Sequence, residues 1–582
     1  MVTSDGRCAG TIPRRPAAGE RAGGGRGAGG RPRWHPRPRP DTVGAHVGGL
    51  CGSSRTRAAS GLLAAVLLVL PAHPASARGP GTGGGRVEGG VASRPVNLPR
   101  VPTELLDARR AAPRDEGAAA VRTAPSAPSA VPRQPVASFG FDAILNQPPF
   151  PIPADPTGAL GDTWYLAAVN VHVAVYDRSG QPAPAFATPL RLLDLAPFPA
   201  GTVDFDPKVV YDHYTDHFVL AFLAVNDERE RSWIVVATVP DATAADPSTW
   251  CVRRIPGDLV PGDGRQWADY PGLGFDDDRV TLTSNQFTFR PFRFRYAQVL
   301  SIPKDELYDC AREPGIAVFH GELTREPSGR KAFTIQPAVS YGRATRQFLV
   351  SFDAGAFEGN RLTVWRIGEG PRGPFLRRAS LGVGRARVAP FGTQGGGSLV
   401  REDTLWDTGD LRLTSAVYDG DLGVVFAAHA VERDLAPGDG YVESAIRWYA
   451  VDPGRPLDRS AVLREGVLGT PGADVGWPAL VTDGSGNLAV AFSQASALSG
   501  EFLSAYVAVI APGETTARTL LLRAGEARYE AKPGVERWGD FNAASRDPLD
   551  PSLVALVNQF APAEPGETVT DDWRQRIDLV AP

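Results

Sequence analysis

Four aspartates recur at matching positions of repeated stretches in this 582-residue chain. Asp155 and Asp206 stand directly before a proline, and Asp269 and Asp540 stand one residue earlier in their own stretches. If the fold brings these positions together, the carboxylates could bind a hard cation such as Ca²⁺, with Asp269 and Asp540 as candidate ligands. They could also raise one another's pKa and act as acid and base, or cap backbone N–H groups in turns.

Aromatic residues cluster at the same positions. Trp267, Tyr270, Trp477 and Trp538 each lie at or within two residues of a recurring position. Aromatic faces beside carboxylates offer surfaces on which sugar rings stack, whereas tryptophan in repeated units more commonly serves packing. We therefore expect these four aromatics and the four aspartates to surround a ligand-binding site. We assign no catalytic residue, because no nucleophile triad, P-loop or dinucleotide fingerprint lies in a suitable context.

The elements that must position these residues are β-strands. Short β-branched and aromatic runs, separated by Gly, Pro, Asp and Asn, predict an all-β domain over residues 136–582. Within it one unit recurs, consisting of an apolar strand, a turn and a second, more apolar strand. The seven copies are Asp155–Asn170, Asp206–Phe222, Asp269–Asn285, Gln336–Phe352, Leu413–Ala428, Trp477–Phe492 and Asp540–Asn558.

The spacing of the copies leaves room for four strands in each unit. A single unit cannot bury both of its faces, so neighbouring units must stack. Seven stacked units predict a seven-bladed β-propeller, with six or eight blades, or a pair of β-sandwiches, as the alternatives. The last unit offers only three strands, so residues 138–145 are predicted to supply the fourth. In a propeller the first strand of every blade borders a central channel, so the recurring positions would meet at its mouth.

Charge is distributed unevenly along the chain. The formal net charge is −4, but residues 1–135 contain 20 Arg, no Lys and eight acidic residues, which leaves the remainder strongly acidic. An acidic folded part disfavours nucleic acids and anionic membranes as partners. Residues 1–60 are rich in Arg, Gly and Pro, so we expect them to be disordered, and a misassigned translation start would explain them.

Residues 55–77 have the layout of a secretory signal peptide. Arg55 and Arg57 precede the apolar run at 61–70, and residues 75–77 offer an Ala-Ser-Ala cleavage site. The run is about half of the ~20 residues that span a bilayer, so we expect no transmembrane span in the mature chain. The Ala/Pro/Gly-rich residues 78–135 have the composition of a linker.

Export places the remaining cysteines in an oxidising compartment. Cys8 and Cys51 precede the cleavage site, which leaves Cys251 and Cys310 near the ends of the second and third units. We expect these two to form a disulfide between neighbouring blades.

Several of the stretches described above resemble a known superfamily. Asp155–Gly161, Phe205–Asp212, Trp267–Gly274 and Arg537–Asn542 are similar to secreted bacterial β-propeller proteins of the sialidase-like, BNR-type superfamily, in a branch of mostly undefined function. The resemblance spans about residues 140–580 and implies the propeller fold and secretion. Sialidases also carry Asp-boxes that end in tryptophan, and the nearest stretch here, Thr482–Gly486, lacks that tryptophan. The sialidase reaction is therefore not implied.

These observations predict a secreted propeller, extracellular or periplasmic and monomeric. We expect a non-catalytic binding module for a glycan or a protein, with Ca²⁺ as the one cofactor considered. The alternative is a glycan-active enzyme, either a glycoside hydrolase or a polysaccharide lyase, in which two of the aspartates act on the substrate. The two hypotheses differ in whether the aspartates face an open site or are used up on backbone N–H groups.

Overall fold

The structure of the chain is a computed structural model. It describes residues 134–149, 151–259, 265–355, 357–371, 373–399, 401, 404–437 and 441–582. The predicted disordered segment 1–60, the signal peptide 55–77, Cys8, Cys51 and nearly all of the linker 78–135 lie outside these residues. Among the helices of the described part, none is long and apolar enough to cross a membrane.

The described residues fold almost entirely into β-strands. The strands of the N-terminal half are β1 (Val136–Leu145), β2 (Thr157–Leu160), β3 (Trp164–Val169), β4 (His172–Asp177), β5 (Leu190–Arg191), β6 (Val203–Asp212), β7 (His217–Asn226), β8 (Arg231–Pro240), β9 (Cys251–Pro256), β10 (Gln266–Phe275), β11 (Arg279–Thr288), β12 (Arg293–Pro303), β13 (Ala317–Phe319), β14 (Gln336–Pro337) and β15 (Val339–Tyr341). The one short α-helix of the described residues, α1 (Lys304–Leu307), follows β12.

The C-terminal half continues the pattern. Its strands are β16 (Phe348–Ala354), β17 (Glu358–Gly370), β18 (Gly373–Arg387), β19 (Ser415–Asp419), β20 (Val424–Arg433), β21 (Glu443–Asp452), β22 (Ala461–Leu468), β23 (Asp474–Thr482), β24 (Leu488–Ser496), β25 (Glu501–Ile510), β26 (Ala517–Arg523), β27 (Arg528–Tyr529), β28 (Ala543–Arg546), β29 (Val554–Phe560), β30 (Val569–Thr570) and β31 (Arg574–Ala581).

Each of the seven sequence copies forms an antiparallel hairpin, so the predicted repeat is confirmed. The second strand of a hairpin is the more apolar one because neighbouring sheets cover both of its faces. In β24, for example, every residue is buried. A strand covered on both faces has no solvent side to make polar, and its sequence therefore loses the simple apolar–polar alternation.

The sheets are arranged as the blades of a β-propeller. Five are separate four-stranded sheets: β2–β5, β6–β9, β14 with β16–β18, β23–β26, and a sheet ordered β1–β31–β29–β28. Two further four-strand runs, β10–β13 and β19–β22, belong to one nine-stranded sheet, because β15 pairs in parallel with both β10 and β19. The first strands of successive runs lie side by side in a closed cycle, from β2 through β6, β10, β14, β19, β23 and β28 back to β2.

The two ends of the chain meet in one sheet. The strand β1 pairs antiparallel with β31, with Phe141 opposite Ile577 and Val136 opposite Ala581. This confirms the predicted closure, in which a strand from the start of the domain completes the last sheet. Ile144 of β1 is fully buried in the core that also contains β2–β4.

The disulfide prediction is confirmed as well. Cys251, the first residue of β9, is bonded to Cys310, which follows α1, and their Cα atoms are 5.6 Å apart. The bond therefore links two neighbouring four-strand runs and closes a loop between cysteines that are 59 positions apart.

Candidate functional site at the channel mouth

The first strands of the sheets begin at one end of the central channel, and an unusual backbone conformation marks their start. Asp155, Asp206, Tyr270 and Trp477, each directly before a proline, have positive φ angles of 50°, 52°, 52° and 57°. A β-bulge interrupts β6, β10 and β23 at these positions. The left-handed conformation is costly for residues other than glycine, so the surrounding contacts must hold it in place.

Hydrogen bonds between neighbouring sheets supply those contacts. Asn170 donates to Asp155 Oδ2 at 2.7 Å and accepts from the backbone N–H of Asp206 at 2.7 Å. Asp206 Oδ2 in turn accepts from the N–H of Tyr270 at 3.2 Å, and Asp155 Oδ1 accepts from the N–H of Asp540 at 2.6 Å. The Asn170–Asp155 bond lies within the β2–β5 sheet, and the other three bonds each join one sheet to the next, so together they hold four consecutive sheets in register.

Two of the four predicted aspartates are thus engaged in structure. Asp155 is fully buried and both of its oxygens accept hydrogen bonds. Burial, with the charge of Asp540, raises the pKa of Asp155 to about 7. Burial, with the charges of Asp155 and Asp269, raises the pKa of Asp206 well above its usual value. These carboxyl groups stitch sheets together, as the turn-capping alternative anticipated.

The other two aspartates reach solvent and lie among further charges. We define the mouth cluster as Asp269, Asp407, Asp410, Arg412, Arg537 and Asp540. Arg537 pairs with Asp540 at 2.6 Å, and Arg412 pairs with Asp410 at 2.7 Å. The side chains of Asp540 and Arg412 keep 17% and 19% of their surface exposed, which leaves both pairs accessible to a ligand.

Asp269 lies within reach of both ion pairs. Burial raises the pKa of Asp269 to about 6, an effect that the guanidinium of Arg412 opposes and the carboxylate of Asp540 reinforces. The cluster therefore combines a carboxyl group that titrates near neutral pH with two carboxylates held by arginines. Environments that separate carboxyl pKa values in this way are found at acid–base and ligand-binding sites.

A buried lysine beneath the mouth has a lowered pKa. The Nζ atom of Lys208 lies 3.1 Å from the centroid of the Phe541 ring, and the residue is 9% exposed. Burial lowers the pKa of Lys208 to about 7, although the nearby Asp206 opposes the shift. Lys208 therefore exchanges its proton near neutral pH and is charged in only part of the molecules there.

The four predicted aromatics take different places. Trp538 and Trp477 are 1% and 4% exposed, and their indole N–H groups donate to Ser493 Oγ and to the carbonyl of Asp407. Tyr270 is 2% exposed, and its hydroxyl donates to the carbonyl of Asp540 at 3.0 Å. Only Trp267 is partly exposed. Trp477, Trp538 and Tyr270 hold the mouth together, and Trp267 alone offers surface to a ligand.

Trp267 belongs to a larger aromatic surface beside the mouth. We define the aromatic rim as Phe205, Trp267, Phe287, Phe292, Phe294 and Phe333. The Trp267 ring centroid lies 5.6 Å from that of Phe287 and 5.8 Å from that of Phe292, and Phe287 and Phe292 are stacked. Phe333 approaches Phe294 at 5.2 Å and lies 5.3 Å from the guanidinium of Arg412, so the rim adjoins the mouth cluster.

Sequence reasoning missed much of this site. Arg412, Asp410 and Asp407 lie just before the faintest sequence copy, Leu413–Ala428, where no proline fixes the register. Phe292 lies in the β11–β12 turn and Phe333 in the segment before β14, positions that no repeat aligns. Arg537 lies in the Arg537–Asn542 stretch named above, three residues before Asp540. That short spacing could have indicated the ion pair between them.

The predicted metal ligands, Asp269 and Asp540, are not part of a recognisable metal-binding cluster in the described residues. Among the residues that the structure describes, no set of three or more His, Cys, Asp or Glu side chains is arranged to hold a metal ion. Asp540 is already bonded to Arg537, which supplies its countercharge. A Ca²⁺ ion at Asp269 and Asp540 remains a prediction that binding measurements must test.

Comparison with known proteins finds distant likenesses only. No protein-family model and no curated protein matches the chain. Among solved structures, a protein of unknown function from Dyadobacter fermentans is 13% identical, with 66% of this chain and 100% of that chain covered and a TM-score of 0.31. An α-L-arabinofuranosidase of Fusarium graminearum in complex with an iminosugar inhibitor is 8% identical, with 75% and 97% covered and a TM-score of 0.34.

A Trypanosoma rangeli sialidase in complex with the inhibitor DANA is 7% identical, with 64% of this chain and 54% of that chain covered and a TM-score of 0.32. Likenesses this distant carry no argument about the activity of this chain. The resemblance to the sialidase-like superfamily therefore stays a prediction, and the function must be argued from the site.

Proposed function

We propose that this chain is a secreted seven-bladed β-propeller that binds a neutral glycan at the mouth cluster and the aromatic rim without transforming it. The observation that carries the proposal is the junction of the two surfaces at Arg412, whose guanidinium lies 4.3 Å from the Tyr270 ring and 5.3 Å from the Phe333 ring. The closed cycle of seven first strands supports the blade count, and the Cys251–Cys310 disulfide supports an oxidising compartment.

The aromatic rim has the exposure that stacking on a sugar requires. Phe292 and Phe333 each keep 36% of their surface accessible. Covering an exposed aromatic ring with the apolar face of a sugar is favourable, because apolar surface is removed from water. The clustering of these exposed rings beside a polar mouth favours a ligand with both apolar faces and hydroxyl edges.

The mouth cluster supplies partners for those hydroxyl groups. The Arg537–Asp540 and Arg412–Asp410 pairs each present donors and acceptors side by side, and each is already neutral as a pair. Asp269 and Asp407 add acidic groups without a matching cation. The local excess of carboxyl groups disfavours sialic acid, uronic acids and sulfated sugars, so the ligand class proposed is a neutral oligosaccharide.

One observation favours a second candidate, glycoside hydrolysis. Asp269, with a pKa of about 6, could donate a proton, while Asp540, paired with Arg537, could stabilise positive charge on the sugar. This assignment needs both carboxyl groups to reach one glycosidic bond. Binding is preferred because Asp155 and Asp206, the other two of the four recurring aspartates, are engaged in hydrogen bonds that hold the sheets together.

The test is thermal unfolding of the full chain with a panel of neutral polysaccharides and oligosaccharides, in Ca²⁺ and in EDTA. A ligand that binds only the folded state raises the melting temperature. We expect a neutral glycan to raise it equally with and without Ca²⁺ and to lose its effect in Phe292→Ala/Phe333→Ala. Leu549→Ala, another exposed apolar residue, is the control and keeps the shift.

Two outcomes would redirect the proposal. No shift with any glycan, or a shift unchanged in the rim variant, would contradict it. Release of reducing ends by the wild type but not by Asp269→Asn would replace it with the hydrolase.

A further inference from the structure

A cavity lies at the opposite end of the propeller from the mouth cluster. It has a volume of about 930 Å³ and is bordered by Asp276–Asp278 in the turn after β10, by Tyr308 beyond α1, and by Arg346, Arg366 and Phe375. Phe275 lies six positions after Asp269 along β10 and directly before Asp276 of the cavity. At about 3.3 Å per residue, the cavity is therefore roughly 20 Å from the mouth. It is therefore a separate site.

Two arginines that line this cavity, Arg346 and Arg366, lie close to a third, Arg377. Arg366 of β17 lies directly opposite Arg377 of β18, so both side chains project from the same face of the sheet. Arg346 lies in the segment just before β16 and lines the cavity together with Arg366. Burial and the charges of Arg346 and Arg377 lower the pKa of Arg366, as expected for like charges in close proximity.

These arginines lack the partners that the other cations of the cavity have. The Nε atom of Arg366 is buried without a hydrogen-bond partner. None of Arg346, Arg366 and Arg377 forms an ion pair with any carboxylate in the described part of the chain. By contrast, Arg279 pairs with Glu369 at 3.2 Å, and the buried Lys304 pairs with Asp212 at 2.8 Å.

Asp276, Asp277, Asp278, Asp305 and Glu369 also line the cavity, and Asp305 pairs with Arg312. Asp276 Oδ1 accepts from the backbone N–H groups of Asp278 and Arg279, and Asp277 Oδ1 accepts from the N–H of Ala344. Glu369 is held by Arg279. Arg366 and Arg377 lie directly opposite each other without a paired carboxylate, and like charges in that position are destabilising.

We infer that this cavity binds a small oxyanion, a sulfate, phosphate or carboxylate group, at Arg346 and Arg366. The planar guanidinium fork matches the oxygens of such a group and binds it through two hydrogen bonds. The ion would satisfy the buried Nε of Arg366 and neutralise its repulsion with Arg377. Phe375, whose ring lies 4.9 Å from the guanidinium of Arg377, closes the apolar side.

The test is isothermal titration of the full chain with sodium sulfate and sodium phosphate at constant ionic strength, set with chloride. We expect saturable binding of one ion, at least tenfold weaker in Arg366→Gln and in Arg346→Gln. Arg361→Gln is the matched control, because Arg361 is exposed on the same strand and five residues from Arg366. Asp269→Asn, at the distant mouth, leaves the binding unchanged.

A second arm identifies the source of the oxyanion. A sugar sulfate or sugar phosphate that binds more tightly than the inorganic ion indicates that the group belongs to a larger molecule, and equal binding indicates a free ion. Absence of saturable binding for all of these probes would overturn the inference, as would unchanged binding in Arg346→Gln. Since Arg346 is exposed, its variant is expected to fold even if Arg366→Gln does not.

Discussion

Single residues at the mouth carry backbone strain that the neighbouring sheets must offset. Left-handed conformations at Asp155, Asp206, Tyr270 and Trp477 cost about 1–3 kcal/mol each. The sequence showed that these positions recur, because a proline follows each of them. It did not show that Asp155 and Asp206 are engaged, because their partner Asn170 lies at the end of a different strand. The N–H group from which a carboxylate oxygen accepts a hydrogen bond depends on how the sheets stack. The spacing of residues in the sequence does not specify that stacking.

Asn170 is the residue whose loss should loosen the mouth most. Asn170→Ala leaves Asp155 Oδ2 and the N–H of Asp206 buried with one partner fewer, and we expect it to lower the free energy of unfolding by about 1–3 kcal/mol. Urea denaturation measures the change. Gln181→Ala, an exposed amide in a nearby turn, is the control. Equal stability of the two variants would show that the inter-sheet bonds contribute little.

Asp269 should make stability depend on pH in a defined interval. Its pKa is raised from 3.8 to about 6, so between those values the folded protein holds a proton that the unfolded chain has lost. This group therefore lowers stability as the pH rises from about 4 to about 6. Asp269→Asn removes that contribution and should lose less free energy of unfolding across the interval than the wild type does.

Urea denaturation at pH 4, 5, 6 and 7 measures the difference, with the exposed Asp458→Asn as the control. A slope in Asp269→Asn identical to that of the wild type would mean that the Asp269 carboxyl group is solvated like any surface carboxyl group.

Among the elements, β1 completes the last sheet and thereby joins the two ends of the domain. The hairpin repeat made it predictable, because the last copy supplied only three strands. Its pairing with β31 joins residues 429 to 445 positions apart. The parallel contacts of β15 with β10 and β19 were not predictable in this way, because they arise where first strands crowd together at the axis.

Core packing of β1 should be necessary for ring closure. Ile144→Ala removes a fully buried side chain, and we expect it to cost about 2–5 kcal/mol. Val136→Ala changes a residue that is 59% exposed on the same strand and should have almost no effect. Chemical denaturation of both variants measures the difference, and a small loss in Ile144→Ala would contradict the closure role of β1.

At the scale of the whole molecule, segments far apart in the sequence are joined by the Cys251–Cys310 disulfide and meet in the aromatic rim. The disulfide was predictable from export and cysteine count. The aromatic rim was not, because Phe292 and Phe333 come from loops of different sheets and meet only after the ring has formed. Both cavity and rim depend on this three-dimensional assembly rather than on any local motif.

The disulfide makes a simple prediction about the intact molecule. Thiol titration after unfolding should find Cys251 and Cys310 unreactive without reductant and two additional reactive groups after reduction. Replacement of both by serine should lower stability by about 2–4 kcal/mol, because the unfolded chain regains the freedom of the closed loop. Two reactive thiols in the unreduced protein would refute the bond.

The most direct test of glycan binding at the mouth is saturation-transfer NMR with the full chain and a panel of neutral oligosaccharides. It should be run on the wild type and on Trp267→Ala. We expect saturation transfer to the sugar-ring protons of at least one oligosaccharide in the wild type. We expect this transfer to be lost in Trp267→Ala, because Trp267 is the partly exposed tryptophan of the rim. Transfer of equal strength in Trp267→Ala, or none to any neutral glycan, would contradict it.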